Sequence, residues 1–260
     1  MKHSFLDKYS SLNSFIHKLD PRVKIITTLF FLIVVMTTSP IFLWAFLIYF
    51  LIELIILIIS KIPILFILKR LLMLIPFILF IVIFAPFISK NGYAGSYNLG
   101  ILRNLGDGFY NINSVLVVMN VVLKSFLSII ALILLSSTSP FSQLLLGFRK
   151  LKVPSIFTNI ASFMYRYVFV IVDEVQRMVR ARNARNYRGK WIWQSKVIGN
   201  MIANLFLRSY ERGERVYFAM LSRGYDGDLI LNYKYKMRWI DWLYLIIFSI
   251  ILVLTMFFTR

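Results

Sequence analysis

The sequence predicts an all-α, polytopic helical membrane protein with about five transmembrane spans and a cytoplasmic pair of long helices. Three observations carry that expectation. The chain is 59% hydrophobic with 24 Phe in 260 residues, more apolar surface than a soluble core of this size hides. Several apolar stretches reach the roughly 17–25 residues a helix needs to cross about 30 Å of hydrocarbon. Basic residues gather between those stretches, which accounts for the net charge of +19, because Lys and Arg near span ends resist translocation and mark cytoplasmic loops.

Each element follows in order. Residues Met1 to Ser11 contain His3, Asp7 and Lys8 but no apolar run, so the first span is expected to serve for targeting. Five basic residues between Lys2 and Lys24 precede that span, at about Val23 to Ser39, and place the N-terminus in the cytoplasm. Asp20-Pro21-Arg22 reads as its structural start, with Asp as N-cap and Pro at the first helical position. Ser39-Pro40 marks an outer turn, and a second span, Ile41 to Ser60, returns to a cytoplasmic cluster of Lys61, Lys69 and Arg70. The third span, Leu71 to Ser89, carries Pro76 and Pro86, which neighbouring helices make tolerable in a membrane and which predict kinks. Asn91 to Asn113, rich in Gly, Asn and Tyr, has the profile of an outer loop. A fourth span, Ser114 to Leu135, follows. Glu53 and Lys124 fall inside the second and fourth spans, where ionisable groups are costly, and a pairing between them is expected.

From Ser136 to Arg238 there are 18 Lys and Arg against 6 Asp and Glu, which places this region in the cytoplasm. Its apolar piece Ser155 to Val172 is long enough to cross but carries Asn159, Ser162 and Arg166. It is expected as a helix along the inner surface or within the protein. Trp239 to Phe258 is the last span. The expected organisation is a membrane domain over 1–135, a cytoplasmic coupling region over 136–238, and a C-terminal span over 239–260.

The cytoplasmic stretch repeats itself at an offset of 38 residues. Asp173, Arg177, Ala181, Arg185, Tyr187 and Gly189 in the first copy match Glu211, Arg215, Ala219, Arg223, Tyr225 and Gly227 in the second. The spacing of four keeps acid, arginines and alanine near one helix face, in the favourable acid-before-Arg order. Asn186 and Gly224 follow the last arginines and are the residue types best suited to a left-handed helix stop. Each copy thus ends in an arginine at a helix tip, where carbonyl ends attract cations, beside a small residue, Ala184 or Ser222. A single such arginine would be an ordinary solvated charge near an anionic leaflet. Two matched tips suggest two similar receptor sites.

These residues resemble the T components of energy-coupling factor (ECF) transporters, most closely the CbiQ-like subfamily associated with cobalt uptake. The resemblance is carried by SFIHKLDPRVK at Ser14 to Lys24, SSTSPFSQLL at Ser136 to Leu145, MYRYVFVIVDEVQRM at Met164 to Met178, and FLRSYERGERVYFAMLSRGYDG at Phe206 to Gly227. It implies two cytoplasmic coupling helices whose Ala-Arg-Gly-type ends dock on a pair of ATP-binding cassette subunits, here Ala184-Arg185-Asn186 and Ser222-Arg223-Gly224. Asn186 replaces Gly in the first and Ser222 replaces Ala in the second. Both substitutions suit the geometry, since Asn also visits the left-handed region and Ser is nearly as small as Ala. The resemblance further implies a separate substrate-binding membrane S component and residence in the plasma membrane of a prokaryote.

No phosphate-cradling G-x-x-x-x-G-K-[ST] string exists in the chain, so no ATP site is expected in it; ATP and Mg are expected on the partner ATPases. With only His3 and His17 as imidazoles and no cysteine, neither a disulfide nor a dedicated cobalt or nickel site is expected. No convergent His, Cys or paired-carboxylate cluster suggests an enzyme. The expected function is that of a non-catalytic coupling subunit for cobalt uptake, with nickel or a vitamin as alternative cargo. The rival class is a membrane-anchored basic protein holding anionic lipid or nucleic acid. Phosphate binding weakens steeply with salt through counterion release, whereas a helix seated in a groove survives it.

Overall fold

The computed structural model describes residues 12, 14–39, 42–89, 112–185, 191–227 and 237–258. Eight α-helices account for nearly all of them: α1 Pro21–Thr37, α2 Leu43–Ser60, α3 Ile64–Ser89, α4 Ile112–Thr138, α5 Phe141–Lys150, α6 Ser155–Ala184, α7 Trp191–Leu221 and α8 Trp239–Phe258. A 3₁₀ turn, Ile16–Lys18, precedes α1, and there is no strand among the described residues. By length and composition α6, α8 and the Met119–Thr138 part of α4 can cross a membrane, and Trp44–Ser60 is a shorter apolar helix. The fold is that of a polytopic helical membrane protein. Residues 91–111 of the Gly- and Asn-rich stretch, with His3, Pro40, Asn186, Tyr187 and Gly189, lie outside the described residues.

The described chain forms two compact units, one built from α1–α4 and α8 and the other from α5–α7. In the first, α4 packs against α1, α2 and α3, and α8 packs against α1. Phe31, Val34, Phe46, Tyr49, Leu127 and Leu252 form a shared core. Tyr49 is fully buried, its ring edge-on to Phe31 at 5.9 Å and its hydroxyl 3.1 Å from that of Thr38. Large apolar side chains such as Ile33, Leu47, Ile58, Val253 and Phe257 point outward, an exterior suited to lipid and costly in water.

Several boundaries differ from the sequence reading. Lys69 and Arg70, expected between spans, lie inside α3. Lys61, in the left-handed conformation at φ 56°, ends α2, and Pro63 starts the next turn, its carbonyl accepting from Phe66 N–H at 2.9 Å. Arg70 is accommodated one turn further on by lying 4.7 Å above the Phe66 ring. Residues 155–172 and the first arm form one continuous helix, α6. The short α5 had no counterpart in the sequence reading; it stops where Lys152 turns left-handed at φ 65° ahead of Pro154.

Glu53 and Lys124 do not pair. The Lys124 ammonium donates to the Met36 carbonyl at 2.8 Å, one of the last acceptors at the C-terminal end of α1 that lacks an intrahelical partner. Glu53 is buried against a small cavity that Ala131 also lines, and its carboxylate oxygens have no hydrogen-bond partner among the described residues. Ala131 lies seven residues along α4 from Lys124, about 10 Å at the helical rise. Depth counted from the ends of two predicted spans was too coarse to reveal that offset.

Candidate functional site

Two long helices, α6 and α7, carry the repeated motif, and they cross in antiparallel fashion. Near the start of α6, the Asn159 amide donates to the Gly227 carbonyl beyond the end of α7, at 3.0 Å. Midway, the Arg208 guanidinium of α7 pairs with the largely buried Glu174 carboxylate of α6. Arg185 therefore lies about 16 Å beyond this crossing in one direction and Arg223 about 22 Å beyond it in the other, which sets the two tips up to ~39 Å apart.

The second tip shows how its sequence makes a helix end. Gly224 takes φ +80°; its N–H donates to the Leu221 carbonyl at 2.9 Å, and Tyr225 N–H reaches the Met220 carbonyl at 3.1 Å. These two bonds are the Schellman motif, which satisfies carbonyls the helix leaves open. The Tyr-x-Gly that follows folds back, with the Tyr225 hydroxyl donating to the Gly227 carbonyl at 2.9 Å, and Gly227 takes φ +101°. Ser222, Arg223 and Gly224 are all exposed, and the Arg223 side chain has no partner among the described residues. A Cβ at Gly224 would meet nothing within 4 Å, so only the backbone conformation resists a side chain there. Gly224→Ala is expected to lose about 1 kcal/mol at this helix end while Gly224→Asn loses less, as read by thermal denaturation. Equal stability of Gly224→Asn and Gly224→Val would refute the assignment.

At the first tip, α6 ends at Ala184, and Arg185 N–H donates to the Ala181 carbonyl at 3.3 Å. Ala184 and Arg185 are exposed, and the Arg185 side chain has no partner among the described residues. The other repeat positions Asp173, Arg177 and Ala181 lie on α6, and Glu211, Arg215 and Ala219 on α7. Arg215 is 3.7 Å from Glu211 four residues before it, and Arg177 is 3.7 Å from Glu174 three residues before it. With the guanidinium of each pair exposed to solvent, they contribute only a few tenths of a kcal/mol, roughly 0.3–0.5. They orient the arm surface and do not hold it together.

Sequence reasoning missed the residues that join the arms. Asn159 looked like a polar interruption of an apolar run and is the bond between the base of α6 and the end of α7. Glu174 and Arg208 stand 34 positions apart, and only the crossing brings them together. Between the arms a cavity of about 430 Å³ is lined by Ile160, Met164, Tyr167, Leu205 and Val216, with Glu174 and Arg208 beside it. Apolar side chains also line the outside of both helices, among them Ile156, Phe157, Phe206 and Phe218.

A second polar cluster lies within the α1–α4 and α8 unit. Asp20 caps α1, its side chain accepting from Arg22 N–H at 2.9 Å, with Pro21 at the first helical position. The Asp241 carboxylate accepts from Arg238 N–H at 2.8 Å and from Asp20 N–H at 3.2 Å, so it serves the N-termini of α8 and α1 together. The buried Lys24 ammonium donates to the His17 carbonyl at 3.2 Å, the Thr138 carbonyl at 3.1 Å and the Ser139 hydroxyl at 3.1 Å. The HKLDPRVK and SSTSP strings thus meet in space although more than a hundred residues separate them.

A family model described as "Cobalt transport protein", CbiQ, matches residues 12–233. An uncharacterized protein of Methanocaldococcus jannaschii is 27% identical over 257 residues, covering 98% of this chain and 87% of the relative. The energy-coupling factor transporter transmembrane protein EcfT of Staphylococcus aureus is 28% identical over 251 residues, 90% of this chain and 88% of its own. EcfT of Ruminiclostridium cellulolyticum is 30% identical over 238 residues, 86% of this chain and 84% of its own. The family match therefore spans Asp20, Lys24 and its acceptors, the crossed arms and the second tip, and the chain belongs to the CbiQ cobalt transport family of energy-coupling factor transporter transmembrane components.

Proposed function

We propose that this chain is the coupling subunit of an ATP-driven importer, most simply one for cobalt, and that it links two cassette ATPases to a substrate-binding membrane subunit. The observation that carries this reading is the pair of exposed, small-residue-flanked arginines at opposite ends of crossed helices. Two equivalent acidic receptors on a closing ATPase dimer would push and pull such tips in concert. The chain itself does no chemistry in this scheme; ATP and Mg sit on the partners. The apolar walls of the α6–α7 cavity offer the membrane subunit a surface that its own lipid-facing helices match. Co-purification of the chain with tagged ATPases, followed by metal analysis of the whole complex, tests the reading. Cobalt in the complex supports the cargo assignment, nickel or an organic vitamin replaces it, and absence of any ATPase from the purified chain overturns the coupling role.

The proposed topology has the N-terminus and both arms inside and the C-terminus outside. Because the chain has no cysteine, single cysteines report cleanly. An impermeant thiol reagent added from outside is expected to label Asn98→Cys and not Asn183→Cys. The opposite pattern would invert the map. At the first tip, Asn186→Gly is expected to preserve uptake and Asn186→Val to damage it, since a β-branched residue resists positive φ; equal uptake would show that Asn186 is not the helix stop.

A further inference from the structure

We propose that Lys24 is a positioning residue for coupling. Its ammonium clamps the end of α4 to α1 at the point where the chain continues towards the arms. This inference rests on the coupling role proposed above. Lys24 is only 4% exposed, and its three donors are matched by three acceptors: the carbonyls of His17 and Thr138 and the hydroxyl of Ser139. Thr138 is the last residue of α4, so its carbonyl is one that no intrahelical donor satisfies. The C-terminal end of a helix also carries partial negative charge, which a buried cation complements. Ser137, Thr138 and Ser139 are all buried, and α5 begins at Phe141 after only Pro140.

The mechanical consequence follows from covalent connection. Ser139 and Pro140 are the covalent link through which a displacement of α5 is passed to α4. A loose end of α4 would absorb that displacement by fraying or by backbone rotation at Ser139. With Ser139 and Thr138 both held by Lys24, the pull passes to α1 and α4 as a unit. Lys24 thereby sets the ratio of transport to ATP turnover and not the affinity of the arms for the ATPases.

The test uses the full complex, with ATPases and substrate-binding subunit, reconstituted in lipid vesicles, and measures substrate imported per ATP hydrolysed. Lys24→Met is expected to assemble and hydrolyse ATP while import per ATP falls about tenfold, as for loss of a buried charge-assisted contact. Ser139→Ala, which removes one of three acceptors, is expected to lower the ratio about two- to threefold, and Lys24→Arg to recover part of it. Lys69→Met, a basic residue of the same unit outside the clamp, is expected to match the parent. Parent-like import per ATP in Lys24→Met overturns the proposal. If Lys24→Met does not assemble, Ser139→Ala decides: an unchanged ratio overturns it equally. The parent complex is the separate control for the coupling role itself, since absence of ATP-dependent import there would refute that role and the clamp's part in it, whatever the variants do.

Discussion

Arg185→Ala combined with Arg223→Ala is expected to prevent stable assembly with the ATPases while the chain itself remains folded and inserted. Each single substitution is expected to lower uptake severely with assembly partly retained. Both guanidiniums are exposed and without partners among the described residues, so their removal costs the isolated chain little. Against a receptor the position differs. Truncating one member of a hydrogen-bonded charge pair that is buried in an interface loses about 2–5 kcal/mol, much of it from stranding the other charge. At about 1.4 kcal/mol per factor of ten, one tip accounts for roughly thirtyfold or more in affinity. Tips set ~39 Å apart share no partner, so their losses add, to about 4–10 kcal/mol. That is comparable to the whole binding energy of a micromolar to nanomolar complex, about 8–12 kcal/mol. Arg→Lys is expected to restore only part at either tip, because Lys keeps the charge and loses the planar fork. Pull-down of the ATPases, with detergent chromatography of the chain alone as the folding control, reads the outcome. Equal defects from Arg188→Ala or Lys196→Ala would point to bulk charge and revive lipid binding as the role of the arms.

Local signals were the legible part of this fold. The Asp20-Pro21 cap, the stop at Gly224 and the last helix, Trp239–Phe258, each depend on residues within one or two turns, where capping chemistry and apolar run length are decisive. The repeat was legible for a different reason: two copies of one string reveal what a single copy hides. Lys69 and Arg70 misled because a basic cluster marks a loop only where no neighbouring group holds the cation, and Phe66 holds Arg70 on the helix. The expected pairing of Glu53 with Lys124 failed because opposite charge and similar depth do not fix which neighbour a side chain meets.

Long-range polar joints were the illegible part. Asp20 read as a local cap and is one, but its own N–H goes to a carboxylate 221 positions away. Lys24 read as one more basic residue beside the membrane, and the structure shows it buried among three acceptors. Asn159 and Glu174 likewise acquire their roles only from the crossing of α6 and α7. Periodicity and composition describe one helix at a time, so which termini meet is set by packing that no window of sequence contains.

Asp241→Ala is expected to be the most destabilising single substitution in the membrane unit that leaves its apolar core untouched. Asp241 stands at the third position of α8, and one carboxylate oxygen reaches back to the N–H of the capping residue Arg238, half of a capping box. The other oxygen accepts from Asp20 N–H, so a single anion lies at the positive ends of α8 and α1 and ties them together. The side chain is 3% exposed, and water reaches it poorly. Alanine leaves two backbone donors without their acceptor at 1–3 kcal/mol each and removes the anion that both helix ends favour, a loss of about 3 kcal/mol or more. Asp241→Asn keeps one acceptor oxygen but turns an amide N–H₂ towards the other donor, so it is expected to recover about half. Glu214→Ala, at an exposed position on α7, is expected to stay within about 0.5 kcal/mol of the parent. The measurement is the thermal midpoint of the detergent-solubilised chain, compared across the three variants. If Asp241→Ala melted with the parent, the carboxylate would be a bystander, and the joining of α1 to α8 would rest on the packing of Phe31 with Phe248. A loss shared by Asp241→Ala and Asp241→Asn in equal measure would assign the joint to the charge together with the one hydrogen bond the amide cannot accept, since these are absent from both variants.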